Sequence, residues 1–169
     1  MRIAVIGSRD IPDNVRELMV TVGTNLVGDG HWLTSGNADG SDAAWAEGGN
    51  SVDPTKVIIY LPWATYNSDY LVEGNRVLKA PKPEWFDKAA QFHPNWHNLK
   101  QGARRLMARN YGIVHKADAV LAYLNHNKQG GGGTGHGWRI AEHLKIPRFD
   151  VATNPNIAPI KTFIAGLII

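Results

Sequence analysis

Apolar residues along this chain come in short β-branched runs that alternate with stripes at helical spacing. Ile3-Ala4-Val5-Ile6 stops at Gly7, which predicts a buried strand feeding a turn. Asp10 to Pro12 opens a helix, with Asp10 as its candidate N-cap. Val15, Leu18, Met19, Val22 and Leu26 follow at helical spacing, and Gly28 and Gly30 end the stripe. A second strand is predicted over 31–34, a helix from Ser41 or Asp42 to Gly48, and a third strand over 56–61, closed by Pro62. Residues 63–82 show no periodicity and read as an irregular connection. Helices over 84–92 and about 97–114 follow, separated by His93-Pro94, the second with Leu99, Ala103, Leu106 and Met107 inward. A strand over 119–124, a loop with four consecutive glycines, a helix over 134–144 and a strand over 148–151 come next. Residues 157–168 form a last apolar helix or tail.

Strands that alternate with helices predict an α/β fold: a single Rossmann-like, doubly wound domain with a mostly parallel central sheet. It spans residues 1–151, and 152–169 pack on it or on a partner subunit. In such folds ligands bind beyond the carboxyl ends of the strands, which lets the loops there be read together.

The composition removes several classes. With 169 residues, 43% hydrophobic and 20% charged, the chain is neither disordered nor collagen-like. No apolar run approaches a membrane span, and the run ending at Gly7 is too short for a signal peptide, so no membrane partner is expected. Cysteine is absent, which removes disulfides and thiolate chemistry and fits a cytoplasmic setting. The net charge of +3 hides an asymmetry. Residues 1–75 hold four bases and ten acids, whereas 76–116 hold nine bases and two acids. Two readings stay open for that middle stretch: a surface for an anionic partner, or a solvated helix face.

Three glycine-containing turns follow predicted strands and precede predicted helices: Gly7-Ser8-Arg9, the segment Ser35 to Asp42, and Gly130 to Gly135 with Thr134 and His136. Backbone N–H groups at a helix N-terminus receive phosphate oxygens, and glycine lets the backbone come close. Ser8, Ser35 and Thr134 add hydroxyls, and Arg9 adds a bidentate fork. The first turn is not G-x-G-x-x-G, and G-x-x-x-x-G-K-[ST] is absent, so neither a nicotinamide-dependent oxidoreductase nor a P-loop enzyme is indicated. Asp39 reads as a carboxylate for a ribose; Asp42 reads as the same or as a helix cap. No cofactor and no metal site are expected, because His93 and His97 are separated by Pro94 and lack a third ligand. Among six tryptophans, Trp45 and Trp138 read as packing. Trp63 reads as a base-stacking or loop-packing residue, and Trp85 and Trp96 as stacking or interface residues.

Ile3 to Arg9, the segment Thr34 to Ala44, and Gly130 to His136 resemble the SLOG superfamily, which includes DprA, the Lonely Guy phosphoribohydrolases and YpsA-like proteins. Ala108-Arg109-Asn110 followed by Ala117-Asp118-Ala119-Val120 is similar to small phage-encoded DprA-like proteins, for which the setting is the host cytoplasm. The resemblance implies that Arg109 and Asn110 face a nucleotide pocket. With the loops, this makes a candidate ligand set of Gly7, Ser8, Arg9, Ser35, Gly36, Asp39, Gly40, Arg109, Asn110, Gly131, Gly132, Gly133, Thr134, Gly135 and His136. The leading expectation is binding of a phosphorylated nucleoside or nucleotide-like ligand, as a sensor, sponge or processing protein. One alternative is a DprA-like recombination mediator that binds single-stranded DNA along 76–116, without the winged-helix module of DprA. Another is an N-glycosidic hydrolase of Lonely Guy type with a rearranged acid. The Lonely Guy pattern Pro-Gly-Gly-x-Gly-Thr-x-x-Glu matches at Gly133-Thr134 but places Gly137 at the glutamate, which argues against an enzyme and leaves His136 and Asp39 as catalytic candidates. Ile157, Ile160, Phe163, Ile164, Leu167, Ile168 and Ile169 make an apolar stripe that covers the domain's own sheet or pairs with a twin; a homo-oligomer is expected.

Overall fold

In the computed structural model, residues 1–128 and 132–168 are described. The strands are β1 (Arg2–Gly7), β2 (Trp32–Ser35), β3 (Val57–Tyr60), β4 (Arg76–Leu78), β5 (Ala119–Tyr123) and β6 (Arg148–Asp150). The helices are α1 (Asp13–Gly28), α2 (Ser41–Asn50), α3 (Pro83–Ala90), α4 (Gln101–Val114), α5 (Gly132–His143) and α6 (Ile157–Gly166). The strands pair in the order β4-β3-β2-β1-β5-β6, every pair parallel. The chain winds outward from β1 to β4, then crosses back to β5 on the other side of β1. The direction of winding reverses between β1 and β5, and a crevice opens there at the carboxyl ends.

Alternation within each strand feeds two cores. Ile3 and Val5 of β1 and Leu121 of β5 point to one face, where Val15, Met19, Val22 and Leu26 of α1, Trp45 of α2 and Ile160 and Ile164 of α6 cover them. Ala4, Ile6, Val120 and Ala122 point to the other face, under Trp85 of α3, Ala108, Ile113 and Val114 of α4, and Ile140 and Ala141 of α5. Helices on both faces are why the strands read as near-continuous apolar runs. The C-terminal stripe folds back on its own sheet through Ile160 and Ile164, with Ile168 left exposed and Ile169 outside the described residues. Among the described residues no helix is long and apolar enough to cross a membrane.

Local details differ from the sequence reading. Pro12, not Asp10, is the residue preceding α1, and it makes no side-chain cap. The segment 63–82 contains β4, a three-residue edge strand too short to show alternation. The helix expected from 97 is a separate turn, Trp96–Asn98, followed by Leu99 and Lys100 in extended conformation before α4.

Glycines let α1 and α2 touch backbone to backbone. A Cβ on Gly48 would lie 2.1 Å from the Val20 carbonyl oxygen, and one on Gly23 would lie 2.3 Å from that of Trp45. Thr24 crosses the same contact, donating its hydroxyl hydrogen to the Val20 oxygen at 2.8 Å, with the Gly48 oxygen at 3.2 Å. Gly48→Ala must therefore push the helices apart. Urea titration is expected to show a loss of about 2 kcal/mol, since the obstacle is backbone rather than a flexible side chain.

Candidate functional site

The crevice between β1 and β5 holds a cavity of about 240 Å³. Its wall on the β1 side is Gly7, Ser8, Arg9 and Asp10. Ala38 and Asp42 enter from the turn before α2 and from α2 itself, and Leu106, Met107, Arg109 and Asn110 from α4. Asn125 and Lys128 follow β5, and Gly132, Gly133, Thr134 and Gly137 come from the start of α5. The first glycine turn and the described part of the third, Gly132 to Thr134, thus meet across the cavity, as expected for two loops at neighbouring strand ends. The α5 N-terminus brings the positive end of a helix dipole to the cavity.

The loop after β1 is held from behind. Ser41 donates both its backbone N–H (3.1 Å) and its hydroxyl (2.7 Å) to the Ser8 carbonyl. Ser8 Oγ in turn accepts the Asp10 N–H at 3.2 Å. Gly40, at φ +73°, lies against this loop, and a Cβ there would sit 2.1 Å from the Arg9 carbonyl oxygen. Only glycine combines that backbone angle with that approach.

Arg109 is the central cation. It is 7% exposed, donates from Nη1 to the Gly36 carbonyl at 2.7 Å, and leaves Nε without a partner. Tyr66 lies under its guanidinium at 5.5 Å. Asp42 is also buried and accepts the Ala38 N–H at 3.2 Å. A Cβ on Gly36 would meet the Arg109 guanidinium carbon at 2.9 Å and Asp42 Oδ2 at 3.0 Å, so the two charges close over a glycine. Burial pushes the Asp42 carboxyl up to about 6; the Arg109 charge opposes this without reversing it.

Asn110 ties α4 to α5. Its Nδ2 donates to the Gly133 carbonyl at 3.2 Å and lies 3.3 Å from His136 Nδ1. His136 is fully buried, and its Nε2 reaches the Ala89 carbonyl at 2.9 Å. A carbonyl accepts only, so Nε2 carries the proton and Nδ1 accepts from Asn110. Burial holds the imidazole down at about 4 and hence neutral. His136 therefore braces α3, α4 and α5 from behind the cavity, and Gly135 is buried beside it.

The other predicted positions divide as follows. Gly7, Ser8, Arg9, Arg109, Asn110, Gly132, Gly133 and Thr134 line the cavity. Gly36 and Gly40 shape it from behind, and Ser35 is buried with Oγ unpartnered. Asp39 is exposed and accepts the Tyr70 hydroxyl at 2.6 Å, so the carboxylates that enter the cavity are Asp10 and Asp42. Gly131 lies outside the described residues. At the Lonely Guy glutamate position, Gly137 packs so that a Cβ would lie 3.0 Å from Ile6 Cδ1.

The sequence reading missed Asp10 as a cavity residue and gave Tyr66 no role. Tyr66 is delivered by a clasp between two loops: Asn37 donates to the carbonyls of Tyr66 (3.2 Å) and Asn67 (2.9 Å), and Asn67 donates back to Asn37 at 3.0 Å. Both asparagines sit at positive φ, 62° and 43°, a conformation asparagine tolerates better than most residues. The only sequence signal is their residue type.

The basic stretch 76–116 is not one track. Arg76 lies over Trp32, and Lys116 follows α4; both are at the amino edge of the sheet, away from the cavity. Arg104 donates to the carbonyls of Trp96 (3.2 Å) and His97 (3.4 Å) and pins that turn. Trp85 is buried against Gly112 and Tyr60 as packing. Lys100, just before α4, and Arg105, next to the cavity-lining Leu106, are exposed bases. Among the described residues no three His, Cys, Asp or Glu side chains gather as a metal site.

These features define a Rossmann-like α/β protein with a crevice at its switch point that Arg9, Arg109, Lys128 and the start of α5 line. Its fold is DprA-like: it matches DNA processing protein A of Helicobacter pylori, whose single-stranded DNA binding mode that structure describes, with a TM-score of 0.67 and 21% identity over 99% of this chain and 80% of the other. It also matches DprA of Streptococcus pneumoniae with a TM-score of 0.62 and 19% identity, over 88% of this chain and 49% of the other, so it spans about half of that protein. No protein-family model and no curated protein matches the sequence.

Proposed function

We propose that the chain binds single-stranded DNA and holds a backbone phosphate in the crevice between Gly7 and Gly133. The observation that carries this reading is Arg109: a buried guanidinium on the cavity wall with no ion pair among the described residues. Asp42 stands across Gly36 without forming an ion pair, and its raised carboxyl balances the buried guanidinium only in part, so a further anion in the cavity would be stabilised. Arg9, Lys128 and the α5 N-terminus converge on the same cavity. Lys100 and Arg105 extend positive charge outward along α4, which suits a strand better than a free nucleotide. The DprA-like fold supports the same choice, since the Helicobacter protein binds single-stranded DNA.

A free nucleotide is the competing ligand, favoured by a cavity of about 240 Å³, room for little more than one nucleotide unit. Fluorescence anisotropy of labelled oligo-dT across a salt series, beside calorimetry with a panel of mononucleotides, separates the two. Strand binding is expected to weaken steeply with salt. Arg105→Ala is expected to lower the slope by about one, whereas Arg104→Ala also loosens the Trp96 turn. Gly133 has open space around its Cβ position, so Gly133→Glu folds normally and sets a carboxylate at the mouth of the cradle; it is expected to abolish binding. Micromolar mononucleotide binding that is insensitive to salt, with no oligonucleotide binding, would overturn the strand reading.

A further inference from the structure

We propose that Trp63, backed by Tyr66, is a stacking platform for a base of the strand whose phosphate occupies the crevice. The inference rests on the strand-binding reading and adds to it a second subsite, outside the cavity wall.

Both aromatics lie on the connection between β3 and β4, which the Asn37–Asn67 clasp fastens to the turn before α2. Tyr66 joins the phosphate cradle at two points. Its hydroxyl lies 3.4 Å from Arg9 Nη2, and its ring faces the Arg109 guanidinium at 5.5 Å. Two arginines that line the cavity are thereby oriented by one side chain. Trp63 meets the Tyr66 ring edge-on, with centroids 5.3 Å apart and planes at 87°. On its other side it approaches α4 at Gly102, where an added Cβ would lie 4.0 Å from the indole.

Helix geometry relates the two subsites. Gly102 and Arg109 are seven residues apart, two turns on one face of α4, about 10 Å along its axis. Trp63 stands at the outer end of that stripe and the cradle at the inner end. Leu106 of the same stripe lines the cavity between them, and the exposed Lys100 and Arg105 flank the outer end. Trp63 is half-buried, so its edge contacts hold the ring while part of its surface stays open to solvent. A rigid, partly open indole beside a phosphate cradle, along a basic helix end, matches the combination that sequence-tolerant single-strand binders use.

The test compares two strands of equal length and charge: oligo-dT, and the same backbone carrying abasic sites. Trp63→Ala is expected to weaken oligo-dT binding about ten- to a hundredfold and to leave abasic-strand binding within about twofold. Trp63→Phe is expected to recover most of the oligo-dT affinity. Equal losses on both strands, or no loss on oligo-dT, would overturn the platform while leaving the cradle intact. The same holds if the wild type binds the abasic strand as tightly as oligo-dT. If the wild type binds neither strand, the strand-binding reading itself fails and the platform with it. Should Trp63→Ala not fold, Trp63→Leu keeps apolar bulk against Gly102 and Tyr66 without a ring and must show the same selective loss.

Discussion

Arg109→Ala is expected to weaken binding of oligo-dT by about a hundredfold, because a bidentate charge-assisted pair with a phosphate in a low-dielectric crevice is worth about 3 kcal/mol. The guanidinium reaches the cavity already oriented, by the Gly36 carbonyl on one side and the Tyr66 ring on another, so little ordering remains to be done on binding. Arg109→Lys keeps the charge but loses the planar fork, and its affinity is expected to fall between the two. Anisotropy over a salt series measures both terms: the alanine variant should lose about one from the slope, the lysine variant much less. An unchanged affinity in Arg109→Ala would place the anion elsewhere on the molecule.

Asp42→Asn is expected to act in the opposite direction, on stability and on binding together. Burial raises the Asp42 carboxyl from its ordinary 3.8 to about 6, so ionisation favours the unfolded chain. The folded protein forgoes that stability fully above about pH 6 and recovers it as pH falls towards 4. At about 1.4 kcal/mol per tenfold change in proton affinity, the amide variant should be up to about 3 kcal/mol more stable above pH 6. It should also bind phosphate more tightly at neutral pH, since a negative charge facing the cavity is gone. In the wild type, binding should strengthen as pH is lowered through about 6; in Asp42→Asn this dependence should vanish.

His136 has the reverse sign. Its imidazole is held down at about 4 against an ordinary 6.5, so its contribution to stability is present above 6.5 and lost as pH falls through 4. Between pH 6 and 4 the two groups oppose each other, and the wild-type stability profile there should be shallow. Asp42→Asn removes one of them, so urea midpoints for the variant should fall more steeply with acid than those of the wild type. Parallel profiles would show that the two groups do not titrate as their burial requires.

Much of this architecture was legible from residues alone. Ile3 to Ile6 read as a buried strand, because four consecutive apolar residues, three of them β-branched, stop at a glycine. Gly7 and Gly133 stood out because they lie where predicted strands end and predicted helices begin, the place where a doubly wound fold opens its crevice. Alternation of strands and helices was enough for a doubly wound sheet, and hence for a crevice at its carboxyl edge. These are local properties, readable because period and turn chemistry are written in neighbouring residues. What the tertiary structure decided depends on which distant segments meet. β4 is a strand because β3 offers an edge, not because three residues have a period. Asp42 rather than Asp39 enters the cavity because the turn at Gly40 rotates one carboxylate inward and leaves the other for Tyr70. His136 is a neutral brace because Ala89 and Asn110 arrive from two other helices to satisfy both ring nitrogens. Tyr66 reaches two arginines only through a clasp between asparagines thirty residues apart in the chain. Burial and long-range hydrogen bonds set the charge state and direction of each of these groups, and neither is a property of a short stretch of sequence.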